Sequence, residues 1–301
     1  ELSAFSDDHS REMILEAFHL EILPEDEINN ISILSGGNPF YIEEWIAYIN
    51  THQKAHDLSI EEIVKKYPVP TSLNALILSR VDALNEESKK VFQSASVIGM
   101  HFYGSILQSL HEKLQTKVNI PDVIEELIEK DLIHKDSVGQ YSFKHILARD
   151  VVYEAILKSN RKMLHREIGY LLEERFTENP DLFYYDLAEH FDKAEEYEKA
   201  VPYLKKAGSK AQGLFDNKNA AEYYEKLIHI LENPEYKDNV LELKKQKWKT
   251  INKDEKDQLK GFISFQFDLG QLYAITGKWD LADKIYHSIL PAVEETKDLL
   301  Y

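Results

Sequence analysis

The residues able to do chemistry in this chain fall into no catalytic set. The nearest thing to a phosphate-binding loop, Gly99-x4-Gly104-Ser105, lacks the lysine that would neutralise a phosphate, and it reads as a turn between two helices. Twelve histidines are scattered along the sequence, none at the His-Glu-x-x-His spacing that puts two zinc ligands on one helix face. There is no nucleophile elbow, and no glycine-rich dinucleotide turn follows a strand. Cysteine is absent, which removes disulfides, thiolate metal sites and a thiol nucleophile, and suits a reducing compartment such as the cytoplasm. The residues point away from an enzyme and from any metal site within the chain itself, and toward binding.

Charge narrows what could be bound. Acidic residues number 53 against 36 basic ones, a formal net charge of −17. Such a surplus repels nucleic acid and acidic membrane surfaces unless the basic residues cluster. The densest basic run, Lys244-Lys245-Gln246-Lys247-Trp248-Lys249, reads as the solvated face of a connecting segment. Apolar runs fall well short of the ~18 residues that a membrane-spanning helix needs. The sequence opens on Glu1, with neither an initiator methionine nor a basic-then-apolar leader, so an excised piece of a longer polypeptide is expected.

The elements that must position these residues are mainly helical. Residues 1–66 carry apolar faces of helical period: Met13, Ile14, Ala17 and Phe18, then Ile28, Ile31 and Leu34. The second helix is entered at Pro24 and ends at Gly36-Gly37. Asn38 then caps a third helix whose first turn holds Pro39, where a missing N–H costs nothing. Pro68 and Pro70 mark a linker. Residues 67–158 continue with helical stripes over Leu73–Leu84 and Val91–Ile98, and with helices over Tyr103–His111 and Pro121–Lys130. One hairpin follows, Leu132–Lys135 against Tyr141–Phe143, and then a helix from His145 to Leu157. Helices followed by one small hairpin make the pattern of a winged helix. The helix before the wing holds Asp122, Glu125, Glu126, Glu129 and Asp131 against Lys130 alone, which is the wrong charge for a DNA backbone.

Residues 159–301 read as paired helices with small residues at their crossings. The spacing Leu269-Gly270-x2-Tyr273-x3-Gly277-x-Trp279-x2-Ala282-x3-Tyr286 follows the tetratricopeptide pattern, in which Gly270 and Ala282 admit close approach and Tyr273 and Tyr286 fill the space beside them. Earlier echoes run through Leu187, Ala188 and Phe191, then Ala200, Leu204 and Ala207, then Ala220, Tyr224 and Leu227. Their spacing is irregular, so an array of uneven repeats that meets a protein partner is expected.

The run Gly36-Gly37-Asn38-Pro39-Phe40-Tyr41-Ile42-Glu43-Glu44 resembles the small-lid motif of signal-transduction ATPases with numerous domains, the STAND class. The series from Pro70 through Arg80 and Asp82 to Leu84 is similar to the same class, as is Tyr141-x-Phe143-Lys144-His145-x6-Val152-Tyr153. The match extends to about residue 230 and looks most like the regions that follow adenylate cyclase or protein kinase domains. It implies an upstream core, preceding this chain, that binds ATP or ADP with magnesium. It also implies roles for two residues here: Pro39 as the lid proline that packs on adenine, and His145 as the winged-helix histidine that meets the diphosphate. By this resemblance the chain is a regulatory part of a signalling ATPase, coupling nucleotide state to a protein partner. The alternatives are a nucleotide-independent scaffold, or part of a STAND-type transcription activator. Arg80, Arg149, Arg161 and His165 read as partners between helices.

Overall fold

The computed structural model describes residues 4–17, 25–56, 62, 63, 66, 70–176, 183–238, 240, 243–245 and 252–296. Phe18, Pro24, Pro68 and the basic run from Lys247 to Lys249 lie outside them. The chain divides into two compact units, Glu1–Arg161 and Lys162–Tyr301.

The first unit opens with three helices, α1 (Asp7–Ala17), α2 (Glu25–Ser35) and α3 (Pro39–His56). Their apolar faces meet in one core, with Ile14, Ile28, Ile31, Ile42, Trp45 and Ile49 almost wholly withdrawn from water. Each such side chain contributes about 1.5–3 kcal/mol by burial, so the helical period written in the sequence is what closes this layer. Helices α4 (Leu73–Asp82) and α5 (Glu86–Ile98) follow, capped by Ser72 and Asn85, whose side chains accept from the backbone of Ala75 and Ser88.

Next come β1 (His101–Phe102), α6 (Gly104–Lys113), α7 (Ile120–Glu129), β2 (Ile133–Lys135), β3 (Tyr141–Phe143) and α8 (Ile146–Glu154). The expected hairpin is present, with Ile133 opposite Phe143 and Lys135 opposite Tyr141. Asp136 pins its turn by accepting from the N–H groups of Val138 and Gln140, and Gly139 supplies the left-handed residue at φ 84°. The sheet has a third strand that the sequence pattern does not announce. β1 pairs antiparallel with β3, giving the order β1-β3-β2. Two residues are too short to show alternation; β1 exists because Phe102 enters a core with Phe92, Leu107, Leu127 and Phe143. The helix expected from His145 to Leu157 ends at Glu154, where Ala155 closes it and Ile156 turns into the interior.

The second unit contains a run of helices: α9 (Lys158–Arg175, beginning just before the boundary), α10 (Tyr184–Lys193), α11 (Tyr197–Gly213), α12 (Asn217–Leu231), α13 (Lys253–Ile275) and α14 (Trp279–Thr296). From α10 onward each helix packs against the next. Three glycines set the pairs. A Cβ at Gly169 would stand 2.9 Å from Phe191, at Gly208 2.8 Å from Tyr224, and at Gly270 2.7 Å from Tyr286. An aromatic ring of the second helix therefore lies on bare backbone of the first, and the chain is mainly α with tetratricopeptide-like helix pairs.

Candidate functional site

Pro39 and His145 are both in the first unit. Pro39 is the first residue of α3 and half-buried. The chain reaches it through Gly36 and Gly37, at φ 54° and 76°, and Asn38 Oδ1 accepts from the Phe40 N–H at 3.0 Å. A Cβ on Gly37 would come within 2.4 Å of the Phe5 carbonyl oxygen, and the Phe5 N–H donates to the Gly37 carbonyl at 2.8 Å. The close approach that the glycine pair permits is thus taken by the chain's own residue 5. Tyr41 donates its hydroxyl to the Pro70 carbonyl at 3.0 Å, tying α3 to the start of the next module.

His145 is the N-cap residue of α8, extended at φ −139° and ψ 143°, and its side chain makes no capping bond. Two residues of α3 hold its ring. Phe40, directly after Pro39, lies against the imidazole with ring centroids 3.8 Å apart. Glu43, one turn further along α3, accepts from His145 Nε2–H at 3.2 Å. Lys144 places Nζ 3.7 Å from the same Glu43 oxygen and is also paired with Asp131. The contact therefore joins a ring, one carboxylate and two basic side chains at the mouth of a helix. Beside it is an open cavity of about 550 Å³ lined by Glu43, Ile46, Ala47, Lys130, Asp131 and Lys144, among others.

Below this contact runs a buried ion pair. Arg80 of α4 meets Glu44 of α3 at 2.6 Å, each side chain only 4% exposed, and also donates to the carbonyls of Lys130 and Asp131 at 2.6 and 3.3 Å. A charge taken out of water survives only when its donors are satisfied in this way. The result is that α3, α4 and the end of α7 are locked together. A small apolar patch of Ile77, Ala148 and Val151, with Phe40 packed on it, completes the seat of α8.

The other basic residues singled out in the sequence have local partners. Arg149 donates to the Ser96 carbonyl at 2.8 Å and lies over Tyr153; Arg161 pairs with Glu154 at 2.6 Å. His165 is buried and meets the imidazole of His190 at 2.9 Å between their Nδ1 atoms. Sequence reasoning missed Phe40 and Glu43 as companions of His145. Both stand inside the Gly36–Glu44 motif, and their helical spacing from Pro39 was the available signal.

No family model matches the chain. It is similar to an uncharacterised protein of Rhizobium meliloti (strain 1021), 23% identical over 214 residues, which are 70% of this chain and 20% of that protein. Among solved structures it is similar to the crystal structure of a Signal Transduction ATPase with Numerous Domains (STAND) protein with a tetratricopeptide repeat sensor from Pyrococcus horikoshii. The identity there is 15% and the TM-score 0.36, over 99% of this chain and 55% of that one. The chain spans a fifth of the first relative's length and about half of the second's.

The two donors at the start of α8, the His145 N–H and the Lys144 ammonium, are both directed at Glu43, and Lys144 also pairs with Asp131. The first turn of α8 has no side-chain cap, and an N–H donor and an ammonium stand at its entrance. Among the described residues no group of three or more His, Cys, Asp or Glu is placed to hold a metal ion.

Proposed function

We propose that this chain is the regulatory part of a longer signalling ATPase of the STAND type, reading whether a nucleotide diphosphate or triphosphate is held by an upstream core and passing that state to a protein partner. The observation that carries this reading is the contact of His145 with Phe40 and Glu43, the residues that follow Pro39 on α3. Residues of the lid motif and of the winged helix, far apart in sequence, thereby meet within the first unit, which supports a clamp.

Residues 1–66 act as the lid, residues 67–158 as a winged helix, and residues 159–301 as the helical array that meets the partner. A bound nucleotide supplies a planar base and a polyanion. Pro39 offers its ring to a face of the base, needing no hydrogen bond. His145 donates Nε2–H to a terminal phosphate oxygen, aided by the positive end of α8 and by Lys144. Differential contact of these groups with the two nucleotide states is what moves lid and winged helix, because a ligand with equal affinity for both conformations shifts nothing. The winged helix serves this packing and not DNA, since α7 turns Asp122, Glu125 and Glu129 outward. Magnesium is held by the upstream core, and the whole works in the cytoplasm. Among the described residues no helix is long and apolar enough to cross a membrane.

The test is ADP affinity of the full-length polypeptide carrying Pro39→Ala and His145→Ala together. We expect a loss of about tenfold or more, within the ~5–150-fold range of site-to-site coupling. Unchanged affinity would leave a scaffold with no part in nucleotide sensing.

A further inference from the structure

Glu43 occupies the one donor that the reading above assigns to phosphate. The imidazole Nε2 carries a single proton, and in this structure that proton is directed at Glu43 Oε2, 3.2 Å away. It can serve Glu43 or a phosphate oxygen, not both. Glu43 also draws Lys144, whose Nζ is 3.7 Å from the same oxygen. From the geometry we infer that Glu43 is a tethered competitor of the nucleotide phosphate: it latches α3 to α8 when His145 has no other acceptor, and it must let go before His145 can report a bound diphosphate. This inference rests on the phosphate role proposed for His145 and adds how that role is regulated.

Three features make the exchange workable. Glu43 and His145 are 36% and 32% exposed at their side chains, so water can solvate the carboxylate when it leaves, and the latch is weak enough to open. Phe40 packs on the imidazole independently of Glu43, so the freed ring keeps its position. Lys144 keeps Asp131 as its second carboxylate, so the group released is the imidazole N–H rather than the ammonium. By contrast the neighbouring Glu44 is buried on Arg80 and unavailable for such an exchange. Two adjacent glutamates on one helix therefore divide the work: one fixes the module and one is free to move.

The experiment measures ADP binding by calorimetry in the full-length polypeptide for wild type, Glu43→Gln, Glu43→Ala, His145→Ala and the Glu43→Gln/His145→Ala double variant. Removing the competing carboxylate is expected to tighten ADP by roughly two- to fivefold, the scale of one partly exposed charged contact. The gain should vanish in the double variant. Tightening that persists without His145 overturns the latch, as does unchanged or weaker binding in both Glu43 variants while His145→Ala still weakens ADP. If His145→Ala leaves ADP affinity untouched, the phosphate role itself fails and the latch falls with it. Matching thermal unfolding of the Glu43 variants and wild type shows that folding is not the cause.

Discussion

A methyl group at Gly208 would have to share space with the ring of Tyr224, which is 2% exposed and donates its hydroxyl to Gln212 at 3.0 Å. Ring and backbone are fixed, so the clash cannot be relieved by a side chain swinging into water. Gly208→Ala should cost about 1–2 kcal/mol, overpacking outweighing the usual helix gain of alanine. Gly261 of α13 has nothing within 4 Å of the same added atom, so Gly261→Ala should stabilise by about 0.5–1 kcal/mol. Urea midpoints of the two variants check both signs; a stable Gly208→Ala protein would mean that the helices are not in contact there. One of these contacts was legible in advance, because Gly270 and Tyr286 sit inside a known repeat spacing. Gly208 and Tyr224 have the same separation along the chain, and Tyr224 stood out with Ala220 and Leu227 as an echo of the repeat, but Gly208 did not. Gly169 and Phe191 are separated by a longer connection, so no fixed spacing could reveal them.

Turns between helices show how an element is closed and what sequence can say about it. In the second unit α10 is followed by Glu195 at φ 55°, α11 by Phe215 at φ 59°, and α13 by Gly277 at φ 78°. The last two turns carry the same bonds: the Asp216 N–H donates to the Ala211 carbonyl at 2.9 Å, and the Lys278 N–H donates to the Tyr273 carbonyl at 2.8 Å. Glycine does this without strain, and an L-aromatic does not. Phe215 is also 86% exposed, so no packing offsets its backbone. Phe215→Gly should therefore raise stability by about 1 kcal/mol, read as a higher thermal midpoint; an unchanged or lower midpoint would show that the ring contributes more than its exposure implies. Gly277 announced its turn in the sequence. Phe215 could not, because its left-handed conformation is imposed by the helices on either side. The hairpin was legible for the opposite reason: alternation and a glycine turn are both local signals, whereas β1 depends on a partner about forty residues away in sequence.

At the scale of the whole chain, helices were readable from their apolar period, and their order along the sequence survived intact. What was not readable is which faces meet. His145 touches α3 across 102 residues of chain, and no periodicity carries information over that distance. The resemblance of the Gly36–Glu44 run supplied Pro39 and that of the Tyr141–Tyr153 run supplied His145, and only the fold could supply Phe40 and Glu43 as the neighbours between them. The net charge of −17 was readable at once, and it belongs to the chain as a whole rather than to any site.

The contrast between Trp45 and Trp279 has a practical outcome. Trp45 is 0% exposed in the first unit and Trp279 is 68% exposed in the second. With Trp248 replaced by phenylalanine, acrylamide should extinguish the red-shifted emission of Trp279 while the blue-shifted emission of Trp45 persists; equal quenching of both would contradict the packing of α3. Trp45 is thus a native optical reporter of unfolding in the first unit, whereas Trp279 already emits near the wavelength of a solvated indole and changes little when its unit unfolds.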